Sequence, residues 1–344
     1  MVYAIIFGGS SYEHEISIVS AIVLKEKIKE KKIFIFIDEN RNFYLIDEKD
    51  MKAKYFSSKN YKNSPILHLK KGGFYQKALL KEKRVDFDVA INLVHGRDGE
   101  DGKLASLFDF FEIDYIGPRI EASVISYNKH FTKMYAEELG IKVIDYQIIN
   151  KDNIVPLKFE YPVIIKPLRL GSSIGVSIVR DDDELSYALD VAFEFDDEVI
   201  VEPFIEGIKE YNLAGCKAGS FIFSIVEEPK KSEFLDFEKK YLDFSRSEKV
   251  EAAKIQDDLE KRLKEAFIKI YDPIFSGALI RCDFFVKNGD IYLNEINPIP
   301  GSLANYLFED FNTVLNRLSS NLVKEKKIKI DYNYIHSIHG MKNK

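Results

Sequence analysis

Residues 277–301, GALIRCDFFVKNGDIYLNEINPIPG, constrain this chain more than any other stretch. Two apolar runs flank Asn288-Gly289, the strongest short-range signal for a β-hairpin. Yet Arg281, Asp283, Glu295 and Asn297 stand among Leu279, Ile280, Phe284, Phe285, Ile291 and Leu293. A charge in an apolar frame is costly unless it is paired or binds an ion. Side chains alternate faces along a strand, so Arg281 shares a face with Asp283, and Glu295 with Asn297. An oxygen-only ligand set suits Mg²⁺ rather than Zn²⁺ or copper, and Mg²⁺ with few protein ligands usually also holds substrate phosphates. The stretch reads as a nucleotide-phosphate site on a sheet; a plain hairpin with salt bridges on its wet face is the alternative. A two-residue turn at Asn288-Gly289 pairs Asp283 with Asn294 and turns Glu295 to the other face. Shared metal ligation by Asp283 and Glu295 therefore predicts a three-residue connection, Lys287-Asn288-Gly289, with Gly289 left-handed.

Residues 2–7 form a short apolar strand of the kind buried in parallel sheets, followed by Gly8-Gly9-Ser10-Ser11. A helix follows, with Ile16, Val19, Ile22, Val23 and Ile28 expected on its buried side. Strand, glycine turn and helix make a βα unit of a doubly wound sheet, whose ligands sit beyond the carboxyl ends of the strands. The turn is neither G-x-G-x-x-G nor a P-loop, so it does not imply dinucleotide binding. Glu13 sits where a helix N-terminus favours a carboxylate, and capping competes with ligand binding as its role. Residues 32–37 are a second strand, and the lysine-rich 38–84 region predicts small β-pieces and loops. Residues 87–94 are a third strand, ending in His95-Gly96-Arg97-Asp98-Gly99-Glu100-Asp101-Gly102. That loop reads as a binding loop, with a hydrogen-bonded loop histidine as the plainer account of His95.

Residues 126–140 predict one helix carrying Lys129 and Lys133, which alone read as solvated lysines. Lys166 ends the apolar strand YPVIIK, and the small residues Gly171-Ser172-Ser173-Ile174-Gly175 let backbone N–H groups approach an anion beside it. Asp181 and Glu184 form a D-x-x-E cap for a helix to about residue 195. A strand at 199–201 leads to Glu202, with Glu210 beyond. Residues 227–250 mix charges with aromatics at no clean period and read as a lid or a surface excursion. Helices at 255–274 and 312–323 and a basic tail from 324 complete the chain.

With 344 residues, two or three domains are expected. The net charge of −6 argues against nucleic acid as a partner. Cys216 and Cys282 lack metal-ligand spacing and read as buried thiols. No apolar run approaches the ~20 residues of a membrane span, and the N-terminus lacks a signal-peptide pattern. No membrane partner and a cytoplasmic location are expected.

Together these pieces resemble the ATP-grasp enzymes and, within them, the D-alanine–D-alanine ligases. The resemblance rests on Gly8-Gly9-Ser10 with Glu13; His95-Gly96 with Gly99-Glu100-Asp101-Gly102; Lys166-Pro167 with 171–175; Lys240-Tyr241; Arg281-x-Asp283; and Glu295-x-Asn297-x-x-Pro300-Gly301. It implies an α/β fold, α+β in the ATP-grasp part. A substrate-binding domain with a doubly wound parallel sheet spans 1–118. An ATP-grasp lobe at 119–201 carries the phosphate loop, and a second at 202–323 carries the 227–250 lid and the metal site, before a tail at 324–344. It implies ATP and D-alanine as small-molecule substrates, two Mg²⁺ ions (Mn²⁺ as a substitute) on Asp283, Glu295 and Asn297, and a homodimer. ATP contacts fall on Lys129, Lys166, Gly171, Ser172, Ser173, Gly175, Glu202, Glu210, Lys240 and Asn294. Glu13, His95, Lys240 and Tyr306 take the substrate side. Arg281 and the Gly301 N–H match oxyanion stabilisers, and Glu13, Ser172 and Tyr241 a hydrogen-bonded triad that ties the lid to the site. Relatives commonly carry serine where this chain has Tyr306, which alters the second-substrate pocket. Lys240-Tyr241 favours D-alanine over D-lactate as that substrate. The rival readings are a D-alanine–D-lactate or D-alanine–D-serine ligase, and a non-catalytic nucleotide-binding module. The last predicts lost metal ligands or a lost Arg281, and neither is lost.

Overall fold

The computed structural model describes residues 1–77, 81–229, 250–324, 328–332, 334–335 and 338. The expected lid, with Lys240 and Tyr241, lies outside the described residues over 230–249, as does part of the tail.

The N-terminal sheet is built on β1 (Val2–Gly8) and β2 (Lys31–Ile37). β3 (Phe43–Ile46), β4 (Ile66–Lys70), β5 (Gly73–Gln76) and β6 (Lys83–Arg84) extend it antiparallel beyond β2. On the other side β7 (Val89–Asn92) and β8 (Tyr115–Ile116) pair in parallel, giving the order β6-β5-β4-β3-β2-β1-β7-β8. Tyr3 to Phe7 are fully buried, as an all-apolar central strand requires. The lysine-rich 38–84 region is anchored by Tyr44, Phe56, Tyr61 and Phe74, which are buried.

Helix α1 (His14–Lys27) departs from the expected face. Its buried residues are Ile16, Ser17, Ile18, Ser20, Ala21 and Leu24, whereas Val19, Ile22 and Val23 are only half-buried. Two serines enter the interior because both hydroxyls find hydrogen-bond partners there. After the short α2 (Ala53–Ser57) and α3 (Lys103–Phe110), the single helix expected at 126–140 is two, α4 (Ile120–Tyr127) and α5 (Lys129–Glu138). Asn128 breaks it with extended backbone, and its side chain accepts from the His130 and Phe131 N–H groups as an N-cap. Lys129 thus opens a helix instead of riding along one.

A second sheet has the order β10-β13-β11-β12, from β10 (Gln147–Asn150), β11 (Val163–Pro167), β12 (Ser177–Val179) and β13 (Glu198–Pro203). It packs on α6 (Asp182–Phe193) around its own apolar cluster, and Asp181 caps α6 as expected. A third sheet, order β15-β14-β16-β17-β9, contains β9 (Lys142–Val143), β14 (Lys209–Ala218), β15 (Ser220–Glu227), β16 (Ile280–Lys287) and β17 (Asp290–Asn297). Helices α7 (Asp257–Ile274) and α8 (Phe311–Ser320) pack on β14. No strand was expected at β14 and β15.

The 277–301 hairpin corrects the predicted connection. Lys287 pairs with Asp290, so the turn holds two residues, Asn288 (φ 53°) and Gly289 (φ 83°), both left-handed as a type I′ turn demands. A bulge restores the face: Asp283 pairs with Glu295, but Phe284 pairs with Leu293, leaving Asn294 as the extra residue. Asp283 and Glu295 share a face after all, by the bulge and not by a three-residue turn.

Candidate active site

The carboxyl ends of β1 and β7, the β11–β12 loop and the concave face of the third sheet enclose a cavity of about 260 Å³. Its walls bring together Glu13, His95, Lys129, Lys166, Gly171, Ser172, Ser173, Glu202, Glu210, Arg281, Asp283, Asn294, Glu295, Asn297, Gly301 and Tyr306. Of the predicted site residues only Gly175, Lys240 and Tyr241 are absent from its lining; Gly175 lies in the same loop and the other two lie outside the described residues.

One wall centres on Glu13. It precedes α1 but makes no side-chain cap, so the capping account fails. Its carboxyl is buried; Oε1 accepts from the Ser172 hydroxyl at 2.6 Å, and Oε2 has no hydrogen-bond partner among the described residues. Burial, reinforced by Glu100, pushes this carboxyl up to about 7. Glu100 itself is pushed up to about 8, first by burial. Close approach demands glycine twice here: a Cβ on Gly171 would stand 2.9 Å from Glu13 Oε1, and one on Gly96 (φ 67°) 2.5 Å from Oε2. Ser172 (φ 57°) and Ser173 (φ 59°) are left-handed in succession, curling the loop toward Glu13. His95 is buried, with Nε2 3.0 Å from Ser20 Oγ and Nδ1 3.6 Å from Glu100 Oε1. Burial pulls its imidazole down to about 4, so it is neutral.

A second wall centres on Glu202, which meets Lys133 at 2.5 Å and Lys166 at 2.6 Å. Burial opposes its charge, but the two ammonium groups prevail and hold it near 2. Burial also opposes the charge on Lys166, yet Glu202 and the acidic groups around it keep that lysine above its ordinary value. Lys129 donates to the Leu170 carbonyl at 2.5 Å, and burial lowers its pKa. Lys133 is the clearest residue missed from sequence. Its position four residues after Lys129, hence on the same helix face, was the available signal.

The third wall is the hairpin. Arg281 grips Asp283 with two bonds, Nε to Oδ1 at 2.6 Å and Nη2 to Oδ2 at 2.7 Å, and Asn297 Nδ2 donates to Oδ2 at 3.0 Å. Burial pushes the Asp283 carboxyl upward, and the guanidinium opposes that. Burial also works against the charge on Arg281, but Asp283 holds it well above the usual arginine range. Cross-strand pairing runs Glu227–Asn212–Asp283–Glu295, a polar row across four adjacent strands. Asn212 and Glu227 went unpredicted with their strands; Asn212 Nδ2 donates to Glu227 at 3.2 Å. Like charges directly opposite on a sheet repel, so facing Asp283 and Glu295 favour a cation between them. Among the described residues no three His, Cys, Asp or Glu side chains form a metal-binding group. The third oxygen donor here is the Asn297 amide, and the set Asp283, Glu295 and Asn297 fits a hard divalent ion by donor chemistry.

Gly301 follows on from β17 and opens a short segment, Gly301–Leu307, in which Ser302, Leu303 and Ala304 are all left-handed (φ 48°, 51° and 49°). Such backbone costs non-glycine residues roughly 1–2 kcal/mol each, so the surroundings must impose it. Tyr306, at the end of this segment, places its hydroxyl 3.4 Å from Arg281 Nη1, and burial pushes that phenol up to about 12.

The comparisons agree with this geometry. Residues 2–118 match the family model described as D-ala D-ala ligase N-terminus, and 135–312 the one described as D-ala D-ala ligase C-terminus. The chain is 65% identical, over 99% of its length and 100% of the relative, to a D-alanine–D-alanine ligase of a Nitratiruptor species. It superposes on the crystal structure of a D-alanine–D-alanine ligase from Helicobacter pylori with a TM-score of 0.86 at 51% identity, covering 95% of this chain and 100% of that one. For the VanG D-Ala:D-Ser ligase of Enterococcus faecalis the TM-score is 0.74 at 26% identity, with 93% and 97% covered. By fold, by site geometry and by sequence over its full length, the chain belongs to the D-alanine–D-alanine ligase family, on an ATP-grasp fold.

Proposed function

We propose that the chain joins two D-alanines at the expense of ATP, giving D-alanyl-D-alanine, ADP and phosphate for peptidoglycan precursors. The observation that carries this reading is the buried Oε2 of Glu13, which has no hydrogen-bond partner among the described residues and faces a cavity whose opposite wall holds Arg281, Asp283 and Glu295. One wall suits an ammonium and the other a phosphate with its metal.

Each residue then has a task. Glu13 takes the ammonium of the first D-alanine, with His95 beside it. Lys129, Lys166 and the loop residues Gly171, Ser172, Ser173 and Gly175 hold the ATP phosphates. Glu202, Glu210 and Asn294 lie on the nucleotide side, and Lys240, outside the described residues, would contribute to binding ATP. Asp283, Glu295 and Asn297 would hold two Mg²⁺ ions, with Mn²⁺ as a substitute, which neutralise charge during phosphoryl transfer. The first D-alanine carboxylate attacks the γ-phosphorus and ADP leaves. The amine of the second D-alanine then adds to the acyl phosphate carbon, and Arg281 with the Gly301 N–H steadies the oxyanion until phosphate departs. The 2.6 Å Ser172–Glu13 bond supports the triad that Tyr241 would complete. Tyr306 shapes the second-substrate pocket from beside Arg281. We further propose a substrate-binding domain over 1–118, ATP-grasp lobes over 119–201 and 202–323, a cytoplasmic homodimer, and no nucleic-acid or membrane partner.

Purified protein given ATP and D-alanine alone should release phosphate and form the dipeptide. Phosphate release that requires added D-lactate or D-serine would overturn the choice of second substrate.

A further inference from the structure

Two buried serines on α1 do work that an apolar helix face cannot. Ser17 accepts from the Gly8 N–H at 2.8 Å and donates to the Leu93 carbonyl at 2.6 Å, tying together the ends of β1 and β7. Ser20, one turn later and also fully buried, reaches elsewhere. Its Oγ accepts from the Ser302 N–H at 3.1 Å and lies 3.0 Å from His95 Nε2. Helix α1 packs directly on the Gly301–Leu307 segment.

We propose that Ser20 and His95 are positioning residues that clamp the backbone just after Gly301 and so aim its N–H at the reacting carbonyl. The bond directions agree. A neutral imidazole has one N–H. With that N–H on Nδ1, Nε2 accepts from the Ser20 hydroxyl, whose oxygen in turn accepts from Ser302. Ser302 is thereby fixed one residue after Gly301. The Ser302 carbonyl is fixed as well, accepting from Asn305 Nδ2 at 3.0 Å. Burial keeps His95 neutral, which the chain of bonds requires, because an imidazolium has no acceptor for the hydroxyl. The clamp also explains how three left-handed non-glycine residues persist just after Gly301: α1 over-determines their backbone. His95 then acts on the reaction through the loop, in addition to its place beside the first substrate.

This inference rests on the ligase reading, and the test separates the two. In the full-length Ser20→Ala protein, hydrogen–deuterium exchange of peptides covering 299–305 should rise at least tenfold, with other peptides unchanged. Ser17→Ala serves as the control for loss of a buried hydroxyl and should leave exchange at 299–305 unaltered. In rapid-quench turnover with ATP and D-alanine, Ser20→Ala should keep its ADP-forming step within threefold of wild type and slow dipeptide formation by roughly ten- to a hundredfold, the scale of a misplaced catalytic group. Should the alanine variant fail to fold, Ser20→Cys keeps the shape with a weaker donor and should show the same selective defect. Unchanged exchange at 299–305, a dipeptide-forming step within twofold of wild type, or an equal fall in both steps would each overturn the clamp. Exchange needs no turnover, so a wild-type protein inactive on D-alanine would refute the ligase reading while leaving the clamp to be judged by exchange.

Discussion

Glu13 and Glu202 line the same cavity and are buried almost equally, 5% and 3% exposed, yet one is held near 7 and the other near 2. Burial disfavours both charges. What separates them is company: two lysines at 2.5 and 2.6 Å surround Glu202, whereas Glu13 has one hydroxyl, a second carboxyl nearby in Glu100 and an oxygen without a partner among the described residues. A buried carboxylate that already owns its cations is part of the framework. One that lacks such close cations, in a cavity, fits the proposed receptor for the substrate ammonium. The hairpin stands between these cases, since Asp283 owns Arg281 but also faces Glu295 across the strands.

The contrast predicts opposite responses to substitution. Lys133→Met should destabilise the protein most, by about 3–5 kcal/mol, the usual result of removing one partner of a buried ion pair; denaturant unfolding measures it. A change below 1 kcal/mol would mean that Lys166 alone suffices for Glu202. Arg281→Ala should lower ligation by about a hundredfold or more while ATP binding survives, read from steady-state rates and nucleotide titration. Lost nucleotide binding would make Arg281 a framework residue like Lys133. Glu13→Gln should raise KM for the first D-alanine at least ~30-fold, the lower end for truncating a charge partner. It should raise unfolding stability at pH 6, because the wild-type carboxyl is protonated in the folded protein but ionises on unfolding, whereas glutamine does not. Smallest, Glu100→Gln should leave the acidic inflection of first-site binding close to 7, since a carboxyl held at about 8 is already largely protonated there and burial is the main cause of the Glu13 shift; an inflection moved well below 7 would show that Glu100 is ionised beside Glu13.

Much of this site was legible in the residues themselves. Period-two alternation put Arg281 with Asp283, and the demand that Asp283 and Glu295 meet was right although the predicted turn was not. A bulge adds a residue without changing composition, so only pairing reveals Asn294 as the extra one. Lys133 was overlooked because most helix lysines are solvated; its burial depends on Glu202, 69 positions away in the chain (202 − 133). Ser17 and Ser20 defeated the apolar pattern of α1, since a pattern of hydrophobicity cannot show that a hydroxyl's partners lie in distant parts of the chain. Asn212 and Glu227 were lost with β14 and β15, whose mixed sequences carry no clean alternation.

The charge state of Glu13 gives the most direct test of the account. A carboxyl raised to about 7 is protonated at pH 6 and must release its proton to pair with an ammonium. Its contribution to folding runs the other way: complete below the ordinary carboxylate range, it is lost as pH rises through about 7 in the ligand-free protein. Calorimetric titration of D-alanine into the protein saturated with ADP and Mg²⁺, repeated in buffers of different ionisation enthalpy, counts that proton. Release of close to one proton per first-site D-alanine is expected at pH 6, falling toward zero by about pH 8.5, with the release abolished in Glu13→Gln. Binding at pH 6 with no proton released, or with the same release in Glu13→Gln, would contradict it.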